Sequence, residues 1–188
     1  MLLVEIYEQY SHKEFIMSRT AAVTFQGTPL TLAGEAVTVG QPAPDFTMHY
    51  WADGLQAMTK ECLLGKPTLL SVVPSLDTGV CQIQTKQFNE AVAGLGDQIN
   101  AVTISLDLPF AQGRFCGDEN IENIRTASDY QDRTFGNNWG MLIEEIKLLA
   151  RGVFVLDADG VVQYAQTVTE VTDEPDYDAA MAVLNGLL

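Results

Sequence analysis

Apolar and polar residues alternate in two stretches near the start of the chain, and this period of two is typical of β-strands. The stretch "VTFQGTPLTL" (23–32) has two alternating halves around Gly27, Thr28 and Pro29, which predicts a β-hairpin. Residues 46–50 alternate in the same way. The first part of the chain is therefore predicted to be β-structure.

The middle of the chain has the pattern of a strand–helix–strand unit. The run "KPTLLSVVP" (66–74) is short, apolar and bounded by prolines, as expected of a strand that is buried on both faces, and "INAVTISLD" (99–107) is a second such run. Between them, apolar residues recur at spacings of three and four, which predicts an amphipathic helix that ends at Gly94 and Gly96. The apolar members of this helix are Val80, Ile83, Phe88, Ala91, Val92 and Leu95. Such a crossover gives parallel neighbouring strands.

Three more elements are predicted after this unit. The stretch "DLPFAQGRFCG" (107–117) is typical of a short helix with Asp107 as its cap, Pro109 in its first turn and Gly117 at its end. A second hairpin is predicted in "RGVFVLDADGVVQYAQ" (151–166), and a terminal helix in "EPDYDAAMAVLNGLL".

The order of these elements indicates the fold class. Helices on both sides of a central mixed β-sheet make an α/β chain with a thioredoxin-like fold, to which an N-terminal β-hairpin is added. Residues 1–17 lack a clear period, and Met17 opens a run that resembles a natural start. We therefore expect an N-terminal extension at 1–17, outside the core, and one domain at 18–188.

The charge of the chain excludes some classes of partner. Its 25 Asp and Glu outnumber its 10 Lys and Arg, for a net charge of −15. A field of that sign repels phosphate backbones and anionic lipids, so we expect neither nucleic acid nor a membrane as a partner. The start of the chain lacks the basic and apolar regions of a secretory signal, from which we expect a cytoplasmic protein.

The candidate reactive or metal-binding residues include three cysteines and two histidines. No two of the cysteines form a CxxC motif. His12 and His49 are isolated and are not expected to bind a metal. "DADG" (157–160) lacks the other ligands of a calcium loop and is interpreted as a turn. Cys62 is predicted to be a small buried hydrophobic residue. We expect no metal and no cofactor.

Cys81 differs from the other two because of its position. It follows a buried strand and the loop "PSLDTG" (74–79), and it falls in the first turn of the predicted helix, with Thr78 or Asp77 as the N-cap. Free amide groups and the helix dipole stabilise an anion there, which favours a nucleophilic thiolate. A structural cysteine beneath a helix cap is the alternative at this point, and metal ligation is a weaker one.

The stretch "PSLDTGVC" (74–81) fits the Pro-x-x-x-Thr-x-x-Cys pattern of the peroxiredoxins. From about Thr20 onward the chain resembles the bacterial thiol peroxidases, which are atypical two-cysteine peroxiredoxins; "LPFAQGRFCG", "LLARGVFVLD" and "TDEPDYDAA" also fit that subfamily.

The resemblance implies a role for five residues. Cys81 matches the peroxidatic cysteine, Thr78 the threonine that orients the peroxide, and Pro74 the proline that shields the pocket. Arg151 matches the arginine that holds the thiolate charge, and Cys116 the resolving cysteine of the subfamily.

The resemblance further implies a thiol-dependent peroxidase, without metal, haem or flavin, that reduces hydrogen peroxide and organic hydroperoxides. Cys81 becomes a sulfenic acid that closes an intramolecular disulfide with Cys116, thioredoxin reduces that disulfide, and the protein is a homodimer. Because the two cysteines fall on different predicted helices, we expect local unwinding when they meet. A thiol–disulfide oxidoreductase and a non-catalytic redox sensor, both on the thioredoxin fold, are the alternatives.

Overall fold

A computed structural model of the protein describes residues 17–188, and it begins with the predicted hairpin. Strands β1 (Ser18–Phe25) and β2 (Thr28–Ala33) pair antiparallel. Gln26 and Gly27 form the turn, both with positive φ, and Pro29 already belongs to β2. The prediction for the N-terminal extension concerns residues that lie, up to residue 16, outside the described part of the chain.

The main sheet has seven strands in the order β10-β9-β5-β6-β7-β3-β4. Strands β5, β6 and β7 are parallel, while β9, β10, β3 and β4 run antiparallel to their neighbours. The sheet is therefore mixed, as predicted. Its strands are β3 (Thr47–Trp51), β4 (Leu55–Thr59), β5 (Thr68–Val72), β6 (Asn100–Ser105), β7 (Arg125–Ser128), β9 (Gly152–Leu156) and β10 (Val162–Thr167). A short β8 (Leu142–Ile143) pairs with β2 instead.

In the part of the chain that the structure describes, four α-helices flank the sheet in two layers. They are α1 (Gly79–Ala91), α2 (Pro109–Glu119), α3 (Thr134–Asn138) and α4 (Tyr177–Asn185). Side chains of α1, α2 and α4 share one apolar cluster with Leu69 of β5, whereas α3 and the N-terminal hairpin share the other with Leu70. Successive residues of a strand point to opposite faces, so these clusters lie on opposite sides of the sheet. Within residues 17–188, we find no helix with the length and apolar character that crossing a membrane requires.

The predicted helices are present, but two details differ from the prediction. Helix α1 ends at Ala91 rather than near Leu95, and its Ile83 is 44% exposed while Gln84 is buried. Helix α2 does begin at Pro109, but Asp107 does not cap it. Its left-handed C-terminal cap is Asn120, so the prediction that Gly117 ends this helix was wrong.

The last predicted elements are confirmed. β9 and β10 form the second hairpin, in which the Asp157 carboxylate accepts hydrogen bonds from the amides of Asp159 and Val161. Asp176 caps α4 by accepting from the Ala179 amide at 2.9 Å. The "DADG" stretch is thus a turn held by its own carboxylate.

Candidate active site

Cys81 lies in the first turn of α1 and is fully buried. Strand β5 is buried at every position and precedes the loop that leads into α1. Thr78, with extended backbone, is the N-cap residue of this helix. The Thr78 side chain makes no capping hydrogen bond to the helix. The free amide groups at this helix start therefore remain available to stabilise negative charge on the sulfur.

The Thr78 hydroxyl contacts the sulfur directly. Its Oγ1 is 2.8 Å from Cys81 Sγ and 2.9 Å from the carbonyl oxygen of Ser75. A hydroxyl has one proton to donate. Beside a thiol, it can donate to the carbonyl and accept from the S–H group; beside a thiolate, it can donate to the sulfur. Thr78 can therefore satisfy both protonation states of the cysteine without moving.

Arg151 also contacts the sulfur. It directly precedes β9 and is only 2% exposed. Its Nη2 donates to Cys81 Sγ at 3.3 Å, its Nη1 to Gln84 Oε1 at 2.7 Å and its Nε to the Val171 carbonyl at 2.9 Å. The planar guanidinium is thus fixed along three directions, and one of them points at the sulfur.

Gln84 is the site residue that sequence analysis missed. It lies one helical turn after Cys81 and is fully buried, and its Nε2 donates to Ser71 Oγ at 2.9 Å. Its carboxamide therefore links β5 to the guanidinium. The spacing of three from Cys81, which puts both on one helix face, was the signal that could have found it.

The buried guanidinium has no salt bridge to a carboxylate among residues 17–188. An unpaired buried cation is costly, and all the acceptors of Arg151 described above are neutral apart from the sulfur. A thiolate at Cys81 would supply the missing negative charge. The site therefore places a hydroxyl and a buried guanidinium against the same sulfur.

The N-terminal hairpin supports this arrangement from outside. Thr24 of β1 pairs with the 169–171 segment through the Thr169 carbonyl at 2.7 Å and the Val171 amide at 2.8 Å. Hydrogen bonds from Thr172, from the Gly27 amide and from Thr24 lower the pKa of Glu170 to about 2. The hairpin thereby holds the segment whose Val171 carbonyl binds Arg151.

Pro74 and Cys116 lie in different surroundings. Pro74 is buried in the loop between β5 and α1. Cys116 lies on α2 as a half-buried free thiol, 3.6 Å from the Thr126 hydroxyl. Burial raises the pKa of the Cys116 thiol, and Thr126 opposes this only in part, so the neutral thiol is favoured.

Phe115, and not Cys116, packs beside the buried cysteine. Its side chain lies against the small apolar cluster of Val73, Leu76 and Cys81. Cys116, the next residue of the helix, packs in the larger cluster on that face of the sheet. The structure thus brings together Cys81, Thr78 and Arg151, and it leaves Cys116 on the adjacent helix without a disulfide.

Cys62 corrects a prediction. It was predicted to be buried, but it is exposed, in a short 3₁₀ helix (Lys60–Leu63) after β4. The leucine that follows it, Leu63, is buried instead. A one-turn helix at the protein surface buries one side chain and exposes its neighbours, and the apolar run could not show which one.

Comparisons with known proteins agree with this geometry. The Redoxin family model matches residues 38–181. The chain is 48% identical over 168 residues to a thiol peroxidase of Bacillus subtilis, covering 89% of this chain and 99% of that protein. It is 46% identical to a thiol peroxidase of Staphylococcus aureus strain MRSA252, covering 88% and 98%.

Solved structures give the same result for the fold. A peroxiredoxin-like protein from Aquifex aeolicus superposes with a TM-score of 0.82 at 39% identity, covering 90% of this chain and 99% of that one. The thiol peroxidase from Chromobacterium violaceum has a TM-score of 0.78 at 21% identity, covering 87% and 95%. Together with the family match, these likenesses confirm the thioredoxin-like fold.

Proposed function

This chain belongs to the redoxin family and, within it, to the thiol peroxidases, and on that premise we propose that it reduces hydrogen peroxide and organic hydroperoxides through Cys81 and Cys116. One observation above all supports the proposal. A buried thiol at a helix start contacts both a hydroxyl and a buried guanidinium that has no salt bridge to a carboxylate within residues 17–188.

In the first proposed step, the Cys81 thiolate attacks the terminal oxygen of the hydroperoxide. The S–O bond forms as the O–O bond breaks, and the leaving oxygen takes up a proton, giving a sulfenic acid and water or an alcohol. Arg151 and the amides of the helix start are placed to stabilise negative charge on sulfur and on the leaving oxygen. Thr78 orients the reacting atoms, and Pro74 shields them from water.

In the second proposed step, the Cys116 sulfur attacks the sulfenic sulfur. The S–S bond forms, the S–OH bond breaks, and the thiol proton leaves with the hydroxyl as water. Because Phe115 packs against the small cluster that contains Cys81, whereas Cys116 does not, we infer that α1 and α2 unwind locally before the sulfurs meet. A structure of the disulfide form with both helices intact would contradict this.

In the third proposed step, thioredoxin supplies two electrons and two protons that restore both thiols. None of the three steps needs a metal or an organic cofactor. The homodimer expected from the resemblance, the five residue roles and the cytoplasmic location stay predictions, as does the boundary of the domain at residue 18.

A coupled assay tests the proposal. With thioredoxin, its reductase and NADPH, we expect peroxide-dependent NADPH oxidation by the wild type and none by Cys81→Ser. Cys116→Ser should lose most of the coupled turnover and still consume one equivalent of peroxide. The matched control is Cys62→Ser, which removes the exposed third thiol and should turn over like the wild type.

Two outcomes would favour the alternatives. Reduction of insulin disulfides without peroxide would favour a thiol–disulfide oxidoreductase. Oxidation of Cys81 by one equivalent, without catalytic turnover under any reductant, would favour a redox sensor. Steady turnover by Cys81→Ser would contradict the first proposed step.

A further inference from the structure

The Asp107 carboxylate bonds to two segments that the proposed cycle must separate. It is half-buried and lies two residues after β6 ends and two residues before α2 begins. It accepts hydrogen bonds from Ser75 Oγ at 2.8 Å and from the Leu76 amide at 2.7 Å. Both donors belong to the loop that leads into Cys81.

The same carboxylate reaches into α2 through a serine. Ser105 Oγ donates to Asp107 at 2.8 Å and accepts from Gln112 Nε2 at 2.9 Å. Gln112 lies on α2 and also donates to the Ala127 carbonyl of β7 at 3.0 Å. A continuous chain of hydrogen bonds thus runs from the Cys81 loop to the helix that carries Cys116.

Helix α2 buries few whole residues, and one of them is polar. Only Pro109 and Gln112 among its 11 residues are fully buried, whereas α1 buries five. The Gln112 side chain is buried between α2 and the sheet. Its Oε1 has no hydrogen-bond partner within residues 17–188, and neither has Ser128 Oγ of β7. The hydrogen-bond chain through Asp107 therefore ties the buried polar side of α2 to the Cys81 loop, beside the apolar packing of Phe115 and Cys116.

We propose that Asp107 is a positioning residue that holds the Cys81 loop and α2 in the closed arrangement, and that it thereby sets how oxidised Cys81 is divided between two products. The proposal rests on the proposed function, because it presumes that Cys116 must reach the Cys81 sulfenic acid. One product is the disulfide with Cys116, which requires opening. The other is a sulfinic acid, which forms in the closed site when a second hydroperoxide gives an oxygen atom to the sulfenic sulfur and leaves as water or an alcohol.

The test compares Asp107→Ala with the wild type in the absence of reductant. Reduced protein is mixed with increasing hydrogen peroxide, quenched and weighed by intact-mass spectrometry, which separates the disulfide from the sulfinic acid. Removing the carboxylate favours opening, so the peroxide concentration that gives equal amounts of the two products should rise about tenfold, equivalent to about 1.4 kcal/mol. Asp118→Ala, which removes an exposed carboxylate from α2, should leave this concentration unchanged.

Two further measurements separate positioning from a general loss of structure. In a Cys116→Ser background no disulfide can form, so Asp107→Ala and its parent should reach the sulfinic acid at the same rate, within about twofold if opening is rare. In reduced Asp107→Ala, amide hydrogen exchange should quicken in α2 and not in α4. A change in the Cys116→Ser rate as large as the change in product ratio would overturn the proposal.

The remaining outcomes also test the role of Asp107. An unchanged product ratio in folded Asp107→Ala, or a shift toward sulfinic acid, would overturn the proposal. If that variant fails to fold, Ser75→Ala removes one donor and should shift the ratio in the same direction, by about threefold; no shift would count against Asp107. Failure of the proposed function would appear differently, as a wild type that forms no Cys81–Cys116 disulfide at any peroxide concentration.

Discussion

Replacing Gln84 by leucine tests whether the guanidinium must be held in place for peroxide to react. The two side chains have similar size, but leucine removes the acceptor that Arg151 Nη1 uses at 2.7 Å. Because Arg151 is only 2% exposed, water cannot easily replace that acceptor. A hydrogen bond to a charged group contributes about 1.5–3 kcal/mol.

The effect should appear in the rate constant and in stability. Nη2, which contacts the sulfur at 3.3 Å, is no longer fixed when Nη1 is free, so we expect the second-order rate constant for peroxide to fall about 10- to 100-fold. Loss of the Gln84 bond to Ser71 should also lower the free energy of unfolding, by about 2–4 kcal/mol in all.

The assay is rapid-quench mixing of reduced protein with peroxide, followed by counting of free thiols, beside urea unfolding of the same samples. Gln82→Leu, at a half-buried position of the same helix, is the matched control and should change neither quantity by much. A Gln84→Leu protein that is fully folded in the assay and reacts as fast as the wild type would refute the reasoning. So would a rate that falls only in proportion to the folded fraction.

Three other predictions concern single side chains. Thr78→Val, which keeps the shape and removes the hydroxyl at 2.8 Å from Cys81 Sγ, should slow peroxide consumption about 10- to 100-fold, whereas Thr78→Ser should keep most of the rate. Arg151→Lys cannot bind three acceptors in different directions, so its rate constant should fall about 100-fold; a loss below threefold would contradict the role of the planar fork. Burial raises the pKa of Asp129 from 3.8 to about 6, so between these values the folded state keeps a proton that the unfolded state has lost. The contribution of Asp129 to stability should therefore fall as the pH rises from about 4 to about 6, and the difference in unfolding free energy between wild type and Asp129→Asn should show that slope.

The hydrophobic pattern was sufficient for the core strands and for the position of Cys81. β5 is buried on both faces, and a loop and a helix start follow it, so the first-turn position could be read from local signals. β4, β7 and α3 were not predicted because their sequences, LQAMT, RTAS and TFGNN, have neither a continuous apolar run nor a clear alternation. Their pairing and packing depend on neighbours that are distant in sequence.

The site residues differ in how far the sequence could reveal them. Arg151 is 70 positions from Cys81, and only the resemblance to a family connected them. Gln84 and Ile83 were misjudged together, because the pattern assigns glutamine to the surface and isoleucine to the core. Here the helix faces a buried polar site, so the polar residue is inside. A functional site reverses the usual rule where its polar groups satisfy one another.

Because Arg151 has no carboxylate partner within residues 17–188, the charge balance around it would change during the proposed cycle. In the first proposed step, the Cys81 thiolate and the Arg151 guanidinium would form a buried pair of opposite charges. A sulfenic acid is neutral when protonated. Adding an oxygen atom to the sulfur would therefore leave the buried guanidinium without a negatively charged partner at the moment when opening is needed. Breaking one side of a buried ion pair costs about 3–5 kcal/mol, comparable to one or two of the hydrogen bonds to the Asp107 carboxylate that keep the loop closed. In the proposed cycle, formation of the sulfenic acid would thus weaken the closed arrangement, and reduction to the thiolate would restore it.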